Sequence, residues 1–291
     1  MDTPRNTSSP LRLILFFFLV LVLPLAAGLF LASRLVPAPK IGVIRLNYDI
    51  LDQTAFEFRE QLTHAVEDPA VRAVVIIINS PGGSAAYSEE LYLEVLEARR
   101  EVPVLASVDL LAASGAYYVA SAANEIYAKP TSNLGSIGVL GVLPGPVYVD
   151  EQLLTTGPFK AFGLTQDAAV RQAERAKFAF LEAIETGRGE ALQVSSDVLA
   201  RAEIYTGVQA LEMGLIDGMR STGEVYERAA DLAGLNNYEV VELYPLAFGG
   251  DGEGTNAAYR PAPIDRQRLW SMPDDPAPGL YYRYVELPTY R

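Results

Sequence analysis

Residues 71–78, Val-Arg-Ala-Val-Val-Ile-Ile-Ile, limit the possible folds more than any other stretch of the chain. A strand with one face in water alternates apolar and polar residues. A run that is apolar at nearly every position belongs to a strand buried on both faces, as in a parallel sheet covered by helices. Residues 103–108 repeat this character. Between the two runs, Tyr87, Leu91, Val95 and Ala98 recur at three- and four-residue steps, the spacing of a helix face. A strand over 41–46 and a helix over 54–67, stopped by Asp68-Pro69, precede them. A small-residue helix over 113–123, a strand over 125–128 and a Gly-rich stretch over 134–145 follow. Strand and helix alternate about every thirty residues, which predicts an α/β domain with right-handed crossovers. An amphipathic helix is expected over 166–186 and an amphipathic pair over 196–233. After Tyr244 the chain turns rich in Pro, Gly and Tyr and loses any sustained period. No internal repeat is found.

Scarcity narrows the chemistry. The 291 residues include no cysteine and one histidine, His64. Thiolate nucleophiles, disulfides and Cys- or His-cluster metal sites are therefore excluded, and a Ser-His-Asp triad would have to use His64. His64 falls inside a helix, away from the glycine-rich loops, and reads as a structural or surface residue. Of 23 basic residues only four are lysines: Lys40, Lys129, Lys160 and Lys177. The net charge of −13 argues against a nucleic-acid partner, whose phosphates would be repelled.

Residues 13–33 form 21 uncharged positions, 18 of them hydrophobic. As a helix they would span roughly 30 Å, the thickness of a bilayer core. The segment reads as a membrane helix or a signal peptide. Because the apolar residues continue past Ala26-Ala27-Gly28 to Val36, an uncleaved anchor is the preferred reading. Arg5 and Arg12 before it and Arg34 and Lys40 after it leave its orientation undecided. The expected organisation is an anchor over 1–36, a linker over 37–40, an α/β domain over 41–244 and a tail over 245–291.

Two loops carry candidate chemistry. Asn79-Ser80-Pro81-Gly82-Gly83-Ser84 directly follows the first buried strand. Paired glycines there let the backbone turn sharply and present N–H groups to a ligand, although a plain turn would look the same. Ala112-Ala113-Ser114-Gly115-Ala116-Tyr117-Tyr118 follows the next strand and opens a helix. Ser114 is there either a helix cap or a nucleophile beside backbone donors. Loops after neighbouring strands open on the same edge of the sheet, which favours a site.

These loops, followed by Gly135-Ser136-Ile137-Gly138-Val139, Thr156-Gly157-Pro158-Phe159-Lys160, Gly187-Arg188-Gly189 and Tyr205-Thr206-Gly207, resemble the signal peptide peptidase A family of membrane-bound serine peptidases. The segment Ala210-Leu211-Glu212-Met213-Gly214-Leu215-Ile216-Asp217 extends the resemblance, which covers about residues 40–235. It implies a Clp protease/crotonase-like fold, a repeated β-β-α superhelix with a mostly parallel sheet, preceded by one transmembrane helix. It implies Ser114 as nucleophile, Lys160 as general base and the amides of Gly83 and Gly115 as the oxyanion hole. Ser136 would orient Lys160, and Phe159 and Phe162 would supply the apolar setting that keeps the lysine neutral. No cofactor or metal is implied.

The substrates implied are hydrophobic, signal-peptide-like peptides. The implied assembly is a homo-oligomeric ring on the cell membrane, touching lipid through the N-terminal helix, with its catalytic domain on the extracytoplasmic side. The chain departs from the family pattern at Ala116, at Leu134 and in a short stretch before Lys160 that holds Pro144-Gly145-Pro146. Two other functions remain to be weighed: a catalytically silent scaffold on the same fold and a crotonase-like acyl-CoA enzyme.

Overall fold

The aliphatic run at 71–78 does become the centre of a parallel sheet. The computed structural model describes residues 10–35, 38–143, 156, 157, 159, 160, 163–249 and 280–283. It divides into two units, Met1–Pro39 and Lys40–Arg291.

In the first unit, α1 (Pro10–Phe17), a π-helical turn (Phe18–Val22) and α2 (Leu23–Leu35) follow one another without a break. Their large apolar side chains from Ile14 to Leu25 are exposed. No helix among the described residues is long and apolar enough to cross a membrane. The π-helical turn divides the expected span at 13–33 into shorter helices.

The second unit begins with β1 (Lys40–Ile50), α3 (Asp52–Glu67), β2 (Val71–Ser84), α4 (Ala85–Ala98), β3 (Val104–Ala113), α5 (Gly115–Ala120) and β4 (Glu125–Ala128). Next come β5 (Asn133–Gly135), β6 (Leu140–Gly141), α6 (Gln166–Arg188), α7 (Ser196–Leu199), β7 (Ile204–Thr206) and α8 (Gly207–Glu212). It ends with β8 (Gly218–Met219), α9 (Thr222–Leu232), β9 (Glu239–Glu242), α10 (Leu243–Ala247) and β10 (Leu280–Arg283). Strands β9-β1-β2-β3-β4-β8 lie side by side and parallel. At the carboxyl end of this sheet, β5 continues alongside β3 and pairs antiparallel with β7, while β10 pairs antiparallel with β2 and β6. The α/β class with a mostly parallel sheet is therefore as expected.

The two faces of the sheet are covered separately. Ile44, Ile76, Ile78, Val104 and Val108 meet Phe58 and Leu62 of α3, Leu91 and Val95 of α4, Tyr117 of α5 and Phe180 and Ile184 of α6. On the opposite face, Val43, Val75, Ile77 and Leu105 meet Val225, Ala229 and Ala230 of α9. Full burial of each such side chain contributes roughly 1.5–3 kcal/mol. Helix α9 starts at a capping box in which Ser221 and Glu224 satisfy each other's backbone N–H groups.

Several boundaries shift. Strand β1 runs on to Ile50 and β2 to Ser84, because their parallel register continues to Ile50 opposite Gly83. Strand β3 runs to Ala113, held past residue 108 by Ser80 of β2 and by β5. The small-residue helix is only α5, six residues long. The helical pair expected over 196–233 is instead three helices, α7, α8 and α9, separated by β7 and β8. Edge pairing with β5 and β4 draws those segments into strands.

Candidate active site

The amide of Ser114 donates to the Gly135 carbonyl at 2.7 Å, so the turn leaving β3 is tied to the strand beside it. At Ser114 the backbone stands at φ 54°, ψ −123°, a region that L-residues rarely adopt. Strand, strained serine and helix follow in immediate succession, the turn geometry that nucleophile elbows use to aim a hydroxyl. Ser114 is 1% exposed, and its Oγ is buried with no hydrogen-bond partner among the described residues. An unmatched buried hydroxyl costs about 1–3 kcal/mol, and strained backbone of this kind about 1–3 kcal/mol more. The surrounding packing sustains both. The Tyr118 amide donates to the Ser114 carbonyl at 2.9 Å, and Gly115 to Ala120 are all buried.

Helix α5 is fastened from behind. The Tyr117 hydroxyl donates to the Leu215 carbonyl at 2.7 Å. Arg188, buried, donates through Nε to the Gly214 carbonyl at 2.8 Å and pairs bidentately with Asp217 at 2.9 and 2.8 Å. Asp217 also accepts from the Ile126 amide at 2.7 Å. Burial pushes the Tyr117 phenol far above its ordinary value, so it stays a donor.

Ser136 stands next to this turn by register, since Ala113 pairs with Gly135 and each serine follows its partner. Its backbone is also at positive φ, 52°, and its amide donates to the Glu203 carbonyl at 2.8 Å. Gly135 must be glycine: its φ is 115°, and a Cβ there would lie 2.5 Å from the Glu203 carbonyl oxygen.

The Gly-Gly loop lies across from Ser114 on the same edge of the sheet. Ser80 Oγ accepts from the Gly82 amide at 3.1 Å. Gly83 is pressed against β1, where a Cβ would stand 2.2 Å from the Ile50 carbonyl oxygen. On the other side Gly83 pairs with Tyr282 of β10. The N–H of Gly115, first in α5, is one of the donors a helix leaves without an intrahelical acceptor.

Lys160 is placed differently. It sits in an exposed turn whose amide donates to the Gly157 carbonyl at 3.0 Å. Phe159 beside it is 47% exposed, so among the described residues it does not enclose the amine. Phe162 and residues 144–146 lie outside the described residues. The other three lysines are engaged: Lys40 with Asp68 at 3.3 Å, Lys129 with Asp109 at 2.6 Å, and Lys177 with Glu174. Among the described residues Lys160 makes no ion pair. His64, in the last turn of α3, is near the amino end of β2, the edge of the sheet away from Ser114.

The structure thus brings Ser114, Gly115, Ser136 and Gly83 to one edge. The strain at Ser114 and Ser136 and the strand β10 were missed by sequence reasoning. Only the coincidence of a serine between a buried strand and a glycine pointed to the first.

Residues 97–236 match the model of peptidase family S49. Protease 4 of Salmonella typhi is 29% identical over 203 residues, covering 65% of this chain and 32% of that protein. Protease 4 of Haemophilus influenzae is 29% identical over 234 residues, covering 73% of this chain and 38% of that one. The chloroplastic serine protease SPPA of Arabidopsis thaliana is 27% identical over 202 residues, covering 65% of this chain and 30% of that protein. The chain thus spans about a third of the length of these relatives. A solved mutant chain of the 1510-N membrane-bound stomatin-specific protease aligns with 66% of this chain and 86% of its own length, at 17% identity and a TM-score of 0.47. The match of residues 97–236 to peptidase family S49 and the similarity to the Protease 4 proteins bear out the resemblance of the chain to the signal peptide peptidase A family.

Proposed function

We propose that the chain is a serine endopeptidase in which Ser114 is the nucleophile and Lys160 the general base. The observation that carries this reading is the buried Oγ of Ser114, without a partner among the described residues, on strained backbone. A silent scaffold has no use for that combination, and a crotonase-like thioester chemistry requires no serine there. Ser114 Oγ attacks the scissile carbonyl, its proton passes through Lys160 to the leaving amine, and the amides of Gly83 and Gly115 hold the oxyanion. Water, deprotonated by the same lysine, then releases the acyl group.

A lysine serves as base only when neutral, and desolvation is what lowers it. Because Lys160 is exposed, the reading has bound peptide and a neighbouring copy in a ring supply that desolvation, with Ser136 orienting the amine. The substrates are extended hydrophobic segments such as released signal peptides. The continuous helical stretch over 10–35, roughly 40 Å long at 1.5 Å per residue, is the membrane anchor, with the catalytic unit on the extracytoplasmic side. Its exposed apolar side chains support this.

Hydrolysis of a quenched-fluorescent hydrophobic peptide by the full chain in detergent tests the reading. Wild type cleaves, and Ser114→Ala loses about 10⁴-fold or more in kcat, as removal of a catalytic serine does. Equal rates in the two would remove Ser114 from the mechanism.

A further inference from the structure

Backbone strain and unmet hydrogen bonds collect at one junction of the sheet. Among the described residues, the non-glycine positions at positive φ are Ser114, Ser136 and Ala202. They stand where β3, β5 and β7 meet: Ala113 pairs with Gly135, Gly135 pairs with Ile204, and the Ser136 amide donates to the Glu203 carbonyl. Also among the described residues, the buried side-chain atoms without a hydrogen-bond partner are Asn79 Oδ1, Ser114 Oγ and Tyr205 Oη. Asn79 opens the Gly-Gly loop, and Ser114 is the proposed nucleophile. Tyr205, on β7, is the one with no part in the site as built so far. It is 7% exposed and lies directly opposite Leu134. Alternation along the strands puts it in the same core as Leu134 and Ala112, whereas Ile204 joins Leu111 and Ala113 in another. Ser136 and Ser114 follow two residues after Leu134 and Ala112. The ring leans towards that end of β5: a Cβ on Gly135 would lie 3.1 Å from Tyr205 Cδ2 and 3.5 Å from Cε2. Burial pushes the phenol above its ordinary value, so it keeps its proton at neutral pH.

A core that needed only an aromatic ring here would be served better by phenylalanine, because a buried hydroxyl without a partner costs free energy. The chemistry of the base supplies a use for it. An ammonium has three N–H donors, so the neutral amine has two N–H groups and one lone pair. As general base its lone pair must face the Ser114 hydroxyl, and two acceptors must then hold the N–H groups. Ser136 supplies one. We propose that the Tyr205 hydroxyl supplies the second, accepting from the Lys160 amine and turning its lone pair onto Ser114 Oγ. The inference rests on the peptidase reading and adds a positioning residue to that site. Lys160 is exposed, so the bond forms as the lysine enters the site with peptide and neighbour.

The test is Tyr205→Phe in the full chain in detergent, which keeps the ring and removes only the hydroxyl. Peptide hydrolysis should lose about tenfold in kcat with KM unchanged, the scale of one hydrogen bond lost from a catalytic group. The melting temperature should hold or rise, because an unmatched hydroxyl leaves the core. A cycle with Lys160→Met separates positioning from packing. Fluorophosphonate labelling of Ser114 should slow about tenfold when Tyr205→Phe is made in wild type, and not at all when it is made in Lys160→Met. Wild-type kcat in Tyr205→Phe would overturn the assignment. So would a lowered melting temperature, which would give the hydroxyl a structural partner. Equal slowing in both backgrounds would overturn it too, since Tyr205 would then act on the Ser114 turn without the lysine. A wild type that takes no label at all is a different result: it removes Ser114 as nucleophile, which is a failure of the peptidase reading and takes the lysine contact with it.

Discussion

The two members of the proposed dyad stand in contrasting surroundings. Ser114 is held by packing: its amide is tied to Gly135, its helix is pinned through Tyr117 to Leu215, and its own hydroxyl is unpaired among the described residues. Lys160 stands on an exposed turn. The difference teaches that a nucleophile can be preorganised by one chain's sheet, whereas a lysine base needs an environment that excludes water. In the proposed account that environment is assembled only when peptide and neighbour arrive.

The largest expected effect on the comparison comes from Lys160→Met, which removes the base without touching the sheet. Peptide turnover should fall about 10²–10⁴-fold, the usual contribution of a positioned acid–base group, with the melting temperature unchanged because the side chain is exposed. Turnover at the wild-type rate would move the base elsewhere and dissolve the contrast.

Gly83→Ala tests the other end. Its Cβ would collide with the Ile50 backbone, which cannot swing away as a flexible side chain can. The strand must shift and carry the Gly83 amide with it. Loss of one oxyanion donor lowers kcat about 10²–10³-fold. The measurement is kcat at saturating peptide, together with circular dichroism to confirm the fold. Unchanged kcat would take Gly83 out of the oxyanion hole.

The smallest effect concerns the frame. Glu125 receives two hydrogen bonds from Arg228, at 2.9 and 2.6 Å, and one from Tyr127 at 2.7 Å. Arg228 above all holds this carboxyl below its ordinary value of 4.5. A group depressed on folding contributes stability above its unfolded value, and that stability is lost as pH falls through the folded one. Wild type should therefore lose stability below about pH 4.5 more steeply than Glu125→Gln, read as denaturation midpoints across pH. Labelling of Ser114 at neutral pH should be the same in both. Parallel acid profiles would show that the clamp between β4 and α9 does not carry the acid response.

Much of the frame was legible because burial writes itself into sequence. The run at 71–78 has no polar face to show, and the strand at 125–128 was found with its boundaries intact. What stayed hidden depends on pairing between distant residues. Nothing local announces that β1 stays beside β2 as far as Ile50, that the tail returns as β10, or that residues 204–206 pair with 133–135. The positive φ of Ser114 is likewise set by where Gly135 holds its amide, since serine itself has no preference for that region. Ser114, Ser136 and Gly83 could be named from their loops. The exposure of Lys160 could not, because a Thr-Gly-Pro-Phe-Lys sequence reads the same in an open or an enclosed turn.

The most direct measurement of the central claim is fluorophosphonate labelling of the full chain in detergent, with intact mass and peptide mapping. A single adduct on Ser114, absent from Ser114→Ala and slowed in Lys160→Met, is the result the account predicts. A well-folded chain that takes no adduct, or takes it on another residue, would contradict it.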